Sequence, residues 1–157
     1  VPEPLSHRIE GFLPGGHALS VPLITHVDGT LWQGGCLDRV PLPEDFDLVI
    51  SLYPWERYAL ADRTRRVEFA LYDSDLAPGH AEVSSAVDLV LAALEAGEKV
   101  LVHCQAGLNR SGLIVAEVLK RRGMSADEAI DLMREKRTPH VLSNKVFEAL
   151  VRTGWYD

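Results

Sequence analysis

A short apolar run, Lys99-Val100-Leu101-Val102, stops at His103-Cys104-Gln105-Ala106-Gly107-Leu108-Asn109-Arg110-Ser111-Gly112, and a second one follows at once, Leu113-Ile114-Val115-Ala116-Glu117-Val118-Leu119-Lys120. The first run reads as a buried strand and the second as a helix. A chain that passes from strand to helix through a tight, glycine-bearing loop is held to a narrow set of folds, those in which strands and helices alternate in layers. The same passage is a ready anion site. Backbone N–H groups converge where such a loop meets a helix N-terminus, and the helix dipole favours negative charge there. A cysteine in that field, here Cys104, is expected to offer its thiolate as a nucleophile.

The rest of the chain supports that layout. Residues 1–20 carry Pro2, Pro4, Pro14, Gly15 and Gly16 with little periodicity, and read as an extended N-terminal arm. Strand–turn–strand is expected from Leu23 to Gly35, turning at Asp28-Gly29. Asp47–Leu52 reads as a strand, Pro54 as the opening of a helix over Trp55–Asp62, and Val67–Tyr72 as a further strand leading into Asp73-Ser74-Asp75. After Pro78-Gly79, Val83, Ala86, Val87, Val90, Leu91 and Leu94 share one helical face up to about Ala96. Ser125 with Glu128 is a capping box for the next helix, which Thr138-Pro139 ends. Ser143 is the expected cap of a last helix that turns Val146, Phe147, Leu150 and Val151 inward. The alternation predicts an α/β fold: a mostly parallel central sheet flanked by helices, one domain over residues 1–157. Sites in such sheets form at the carboxyl ends of strands, where both Cys104 and Asp73 are expected.

Composition excludes several function classes. At 157 residues with 46% hydrophobic and 25% charged content, the chain can bury a substantial core. No apolar run approaches a membrane span. A formal net charge of −7 opposes general binding to nucleic acid or an acidic membrane. Two cysteines, Cys36 and Cys104, make neither a disulfide framework nor a four-thiolate zinc site, so a reducing cytoplasm is the expected setting. His17, His26, His80 and His140 lack metal-ligand spacing, and no Gly-Lys-Ser/Thr loop or dinucleotide fingerprint occurs.

The side chains around the loop match phosphoryl transfer through a covalent intermediate. Cys104 would attack phosphorus. Arg110 would clamp two phosphoryl oxygens with its planar fork, and the backbone of Gln105, Ala106, Gly107, Leu108 and Asn109 would hold the rest. Ser111 would donate a hydrogen bond to the departing sulfur, and His103 would order the loop from behind. The leaving oxygen needs a proton, for which Asp73 is the candidate, with Asp75 in reserve. Arg137 and His140 are expected at the rim. Cys36 reads as a small core residue, with a redox partnership to Cys104 as the alternative.

The stretch His103–Gly112 resembles the Cys-x5-Arg signature of protein tyrosine phosphatases, and the chain is similar to the compact dual-specificity branch of that superfamily. The resemblance extends to Leu31-Trp32-Gln33-Gly34-Gly35, to the aspartate 31 residues before the cysteine, and to Asn144-x-x-Phe147-x-x-Leu150. It implies a metal-independent cysteine phosphatase with no cofactor. It assigns Cys104 as nucleophile, Arg110 as phosphate clamp, Ser111 as the supporting hydroxyl and Asp73 as general acid. The expected substrate is a protein carrying phosphotyrosine, alternatively phosphoserine or phosphothreonine as well. A monomer with no nucleic-acid or membrane partner is expected. The uncharged interior of residues 105–109 disfavours multiply charged lipid headgroups. An RNA 5′-triphosphatase and a non-catalytic phosphate-binding module are the alternatives.

Overall fold

The computed structural model describes residues 8–157. Its centre is a five-stranded sheet built from β3 (Ile24–Asp28), β4 (Leu31–Gly34), β5 (Leu48–Ser51), β6 (Arg65–Glu68) and β7 (Val100–His103). The strand order is β3-β4-β7-β5-β6. β7 runs parallel to both of its neighbours, β4 and β5, β6 runs parallel to β5, and β3 returns antiparallel on β4. The sheet is therefore mixed and mostly parallel. β1 (Arg8–Phe12) and β2 (Ala18–Pro22) form a separate antiparallel hairpin.

Alternation along the central strands sorts the core into two layers, since successive side chains point to opposite faces. Leu48, Ile50, Val100 and Val102 join one apolar cluster with Leu31 and Val27. Val49 and Leu101 join the other. The buried faces of α1 (His80–Glu95), α2 (Arg110–Arg121), α3 (Ala126–Lys136) and α4 (Lys145–Thr153) all belong to the first cluster. The second face is covered by the hairpin, through Ile9, Leu19 and Val21, together with Leu23, Phe46 and Leu108. β4, β7 and β5, shielded on both sides, accordingly read as continuous apolar runs except at Gln33, Ser51 and His103. Edge strand β6 instead carries Arg65, Arg66 and Glu68, charges that discourage pairing with another chain.

α2 is the hub. Every residue from Arg110 to Leu119 is buried, because the helix packs on the sheet and is flanked by α1, α3 and α4. α1 turns Val83, Ala86, Val87, Val90 and Ala93 inward at the expected spacing. Full burial of each larger apolar side chain contributes about 1.5–3 kcal/mol before chain entropy is counted. The capping box of α3 is formed in both directions: Glu128 N–H donates to Ser125 Oγ, and Ser125 N–H donates to Glu128 Oε1. No helix among the described residues is long and apolar enough to cross a membrane.

Four local expectations differ from the structure. Within residues 1–20, residues 1–7 lie outside the described residues, and from Arg8 onward the chain forms the β1–β2 hairpin instead of an extended arm. No helix forms over Trp55–Asp62. Its groups are spent on tertiary contacts: Arg57 N–H donates to Asp38, Glu56 receives the Cys36 thiol, and the Tyr58 hydroxyl reaches His103. The strand expected at Val67–Tyr72 lies at Arg65–Glu68, because β5 ends at Ser51 and takes its last bond from Phe69 N–H. The last helix is capped by Asn144, not Ser143; Asn144 Oδ1 accepts from the N–H groups of Val146 and Phe147. Replacing Ser125 by Ala removes one half of the α3 cap far from the strand ends, so urea denaturation should register a loss of about 1 kcal/mol.

Candidate active site

The peptide groups of the loop after β7 all turn the same way. The Gln105 carbonyl accepts from Cys36 N–H, the Ala106 carbonyl from Arg137 Nη2, the Gly107 carbonyl from Arg137 Nε and Gln33 Nε2, and the Leu108 carbonyl from Leu142 N–H. Among the described residues, no hydrogen bond within the protein uses the N–H groups of residues 105–110. Carbonyls out and amides in is the construction of an anion nest. α2 begins directly behind it, with Asn109 as N-cap, no side-chain cap bond and no acidic residue in its first turn. Its dipole is left to act on whatever occupies the nest.

Glycine is required where this loop is tightest. Gly107 has φ +77°, and a Cβ there would lie 2.6 Å from the Gly34 carbonyl carbon. A side chain on Gly35 would collide with the Gln105 carbonyl and with Ile9. β4 and the loop are thus packed backbone against backbone.

Cys104 sits at the floor, 2% exposed, with its Sγ 3.3 Å from Ser111 Oγ. Arg110 is 8% exposed; its Nη1 donates to the Leu71 carbonyl, its guanidinium lies 5.0 Å from the Tyr53 ring centre, and its Nε has no partner among the described residues. Holding one corner of the fork leaves the others for a ligand, so the buried cation fits an anion seated over Cys104.

His103 lies behind the loop. The Cys104 carbonyl can only accept, so the His103 Nδ1 that lies 3.0 Å from it carries the proton; Nε2 then accepts from the Tyr58 hydroxyl. Burial holds the imidazole down at about 4, so the ring is neutral near pH 7. The Tyr58 hydroxyl is pushed up by its own burial. Cys36 is a second buried thiol, raised by burial and by the Glu56 carboxylate to which it donates at 3.3 Å.

Asp73 does not stand at the end of a strand. It lies in the loop beyond β6, where both carboxylate oxygens are held: Asn109 Nδ2 donates to Oδ2 at 2.9 Å and Asn144 Nδ2 to Oδ1 at 2.7 Å. It lines one cleft of about 780 Å³ with Cys104, Gln105, Ala106, Leu108, Asn109 and Arg110, whereas Asp75 does not. Phe12, Pro14 and His17 of the hairpin and His140, Asn144 and Lys145 complete the walls. The structure therefore brings together Cys104, Arg110, Ser111, Asp73 and residues 105–109. It separates the two expected rim residues: His140 lines the cleft, but Arg137 is buried beneath the loop and still donates to Thr25 Oγ1 at 2.8 Å. Burial lowers Arg137 only to about 10, so it remains a cation.

Gln33, Asn144, Tyr58 and the hairpin wall went unassigned as site residues. Gln33 had a visible signal, a polar residue on the same strand face as Leu31. Tyr58 and the hairpin had none, since their placement depends on loops.

Residues 44–153 match the model of the family described as dual specificity phosphatase, catalytic domain. The chain is 43% identical over 56 residues to human dual specificity protein phosphatase 16, covering 35% of this chain and 8% of that one. It spans less than half the length of the curated relatives it matches, 8 to 47% of each. Among solved structures it is similar to human DUSP28 (TM-score 0.71, 20% identity, 82% of this chain and 93% of that one). It is also similar to Tk-PTP in its active form (TM-score 0.69, 24% identity, 86% of this chain and 97% of that one).

Two outcomes are expected. Gly107→Ala should weaken binding of inorganic phosphate or vanadate at least roughly tenfold by calorimetry, since the added Cβ displaces the nest. By NMR titration the His103 ring should show no inflection from pH 5 to 8. An unfolded imidazole titrates near 6.5 and this one about 4, so the unfolded chain binds the extra proton in between, and unfolding free energy should fall as pH drops from 6.5 toward 4.

Proposed function

Because this chain belongs to the dual specificity phosphatase catalytic-domain family, we propose that it is a protein phosphatase that hydrolyses phosphotyrosine, and alternatively phosphoserine or phosphothreonine as well, through a cysteinyl-phosphate intermediate. The observation that carries this reading is the nest itself: inward amides, a partly unpartnered buried arginine and a thiol at one floor. The expected setting is cytoplasmic and the expected partner a phosphorylated protein.

In the first step the Cys104 thiolate forms an S–P bond while the P–O bond to the substrate side chain breaks. Asp73 delivers its proton to the departing oxygen. In the second step a water attacks the thiophosphate, Asp73 takes the water's proton, and the S–P bond breaks to return the thiolate and release phosphate. Arg110 and the amides of residues 105–110 hold the three equatorial oxygens throughout, which lowers the barrier by placing fixed dipoles where charge spreads. Ser111 supports the sulfur as it departs. Asp73 is preferred over Asp75 because it shares the cleft with Cys104 and is oriented by two amides.

Phosphate release should be measured, with chelator present, from p-nitrophenyl phosphate, phosphotyrosine, phosphothreonine and phosphoserine peptides, phosphoinositides and 5′-triphosphate RNA. Turnover of the phosphotyrosine peptide, lost in Cys104→Ser with substrate binding retained, is the expected result; no turnover of any substrate between pH 5 and 7 would refute the reading. Preferential release from RNA would favour the triphosphatase alternative instead. Asp73→Ala should lower kcat by roughly 10²–10⁴-fold, and less for substrates with good leaving groups. Asn144→Asp keeps an oxygen to cap α4 but replaces the amide donor by a like charge. It should leave unfolding free energy within about 1 kcal/mol while lowering kcat at least roughly tenfold.

A further inference from the structure

Gln33 is fully buried on β4, beneath the loop, in a layer otherwise filled by apolar side chains and glycine backbone. A buried amide costs stability unless its groups are bonded, and among the described residues this one is only half satisfied: Nε2 has two partners and Oε1 has none. The two partners are the Gly107 carbonyl at 3.3 Å and Ser111 Oγ at 3.2 Å.

Gly107 decides which way the amide faces. Its carbonyl is an acceptor only and is anchored by Arg137 Nε at 2.8 Å, so the opposite rotamer of Gln33 would set two oxygens against each other. With the NH2 group fixed toward Ser111, the serine oxygen must accept from Gln33. An amide nitrogen cannot accept in return. Cys104 Sγ lies 3.3 Å from the same oxygen and donates to it as a thiol; as a thiolate it has no proton to give, and it is then the one acceptor among the recorded partners of the Ser111 hydroxyl.

We propose that Gln33 is a positioning residue for the phosphatase reaction: by occupying the Ser111 oxygen as a donor, it commits the Ser111 hydroxyl to donate to the Cys104 sulfur. This rests on the function proposed above only for its kinetic consequence. The hydrogen bond stabilises the thiolate twice, as the free nucleophile and as the leaving group when the S–P bond breaks, and the second step is the one most exposed to its loss. A relay of donors, Gln33 to Ser111 to Cys104, therefore starts on a strand outside the Cys-x5-Arg segment.

The test uses Gln33→Met, which keeps approximate volume and removes both polar atoms, together with Ser111→Ala and the double variant. The rate of Cys104 alkylation by iodoacetamide is followed against pH, and p-nitrophenol release from p-nitrophenyl phosphate is followed before the steady state. Gln33→Met is expected to move the alkylation midpoint upward by roughly half to one unit. It should also slow the second step about 3- to 10-fold, so that a burst precedes the steady state. In the Ser111→Ala background it should add nothing to either reading, because the relay is already cut. An unchanged midpoint in Gln33→Met, or a full additional effect in the double variant, overturns the proposal. Alkylation needs no turnover, so it judges the relay even in a protein that hydrolyses none of the substrates. Should Gln33→Met not fold, the side-chain amide protons of Gln33 in the unaltered protein serve: they should shift as Cys104 titrates, and their indifference to that titration overturns the proposal equally.

Discussion

A peptide plane carries its N–H and C=O in opposite directions, so a loop that aims successive amides at one point must drive its carbonyls into the protein. That constraint governs the rest of this structure. Four consecutive carbonyls, from Gln105 to Leu108, point into the fold, where each needs a donor. The donors come from widely separated places: Cys36 just beyond β4, Gln33 within it, Arg137 at the end of α3, and Leu142 ahead of α4. Only the complete sheet-and-helix framework assembles that shell. Arg137 is the largest contributor and, among the described residues, has no carboxylate partner; its guanidinium is met by neutral oxygens on Ala106, Gly107 and Thr25. It therefore keeps a positive charge directly under the anion site, at a desolvation cost that those three acceptors offset.

The same constraint explains the close packing around β4. With the loop's carbonyls facing inward, Gly34 and Gly35 let its backbone approach until side chains at Gly35 or Gly107 would collide with it. The β1–β2 hairpin seals that seam from the second face, with Ile9 and Leu19 joining the apolar cluster that contains Leu101 and Leu108. Phe12, at the end of β1, is left 79% exposed where the cleft opens, so the segment that closes the core also forms a wall of the site.

How much was legible in the sequence follows from how local each feature is. The strand–loop–helix around Cys104 is written in neighbouring residues, so the loop with its cysteine and arginine, the nucleophile and clamp proposed above, could be read directly, as could α1 and the α3 capping box. Asp73 is expected at the carboxyl end of the strand before it, on the general rule for parallel sheets, but β6 stops at Glu68 and its true setting, between two asparagine amides, depends on α4 docking beside the loop. Trp55–Asp62 has passable helical spacing; Glu56, Arg57 and Tyr58 are drawn into long-range bonds that no local pattern reports. Arg137 is expected at the rim from its place before the last helix, and the carbonyl cluster that makes its burial tolerable exists only in the folded loop. Gln33 belongs to the Leu31–Gly35 resemblance, yet its polarity within a buried strand is the more informative fact.

Asn144 joins two tasks in one side chain. Its Oδ1 closes the first turn of α4, while its Nδ2 holds the Asp73 carboxylate and the Ser74 carbonyl. Its backbone N–H in turn donates to Asn109 Oδ1 in the loop after β7. One side chain thus fixes the start of α4 and the aim of the Asp73 carboxylate together. A change that shifts α4 against the loop must therefore move that carboxylate, while the loop carbonyls keep their own donors on Gln33, Cys36 and Arg137.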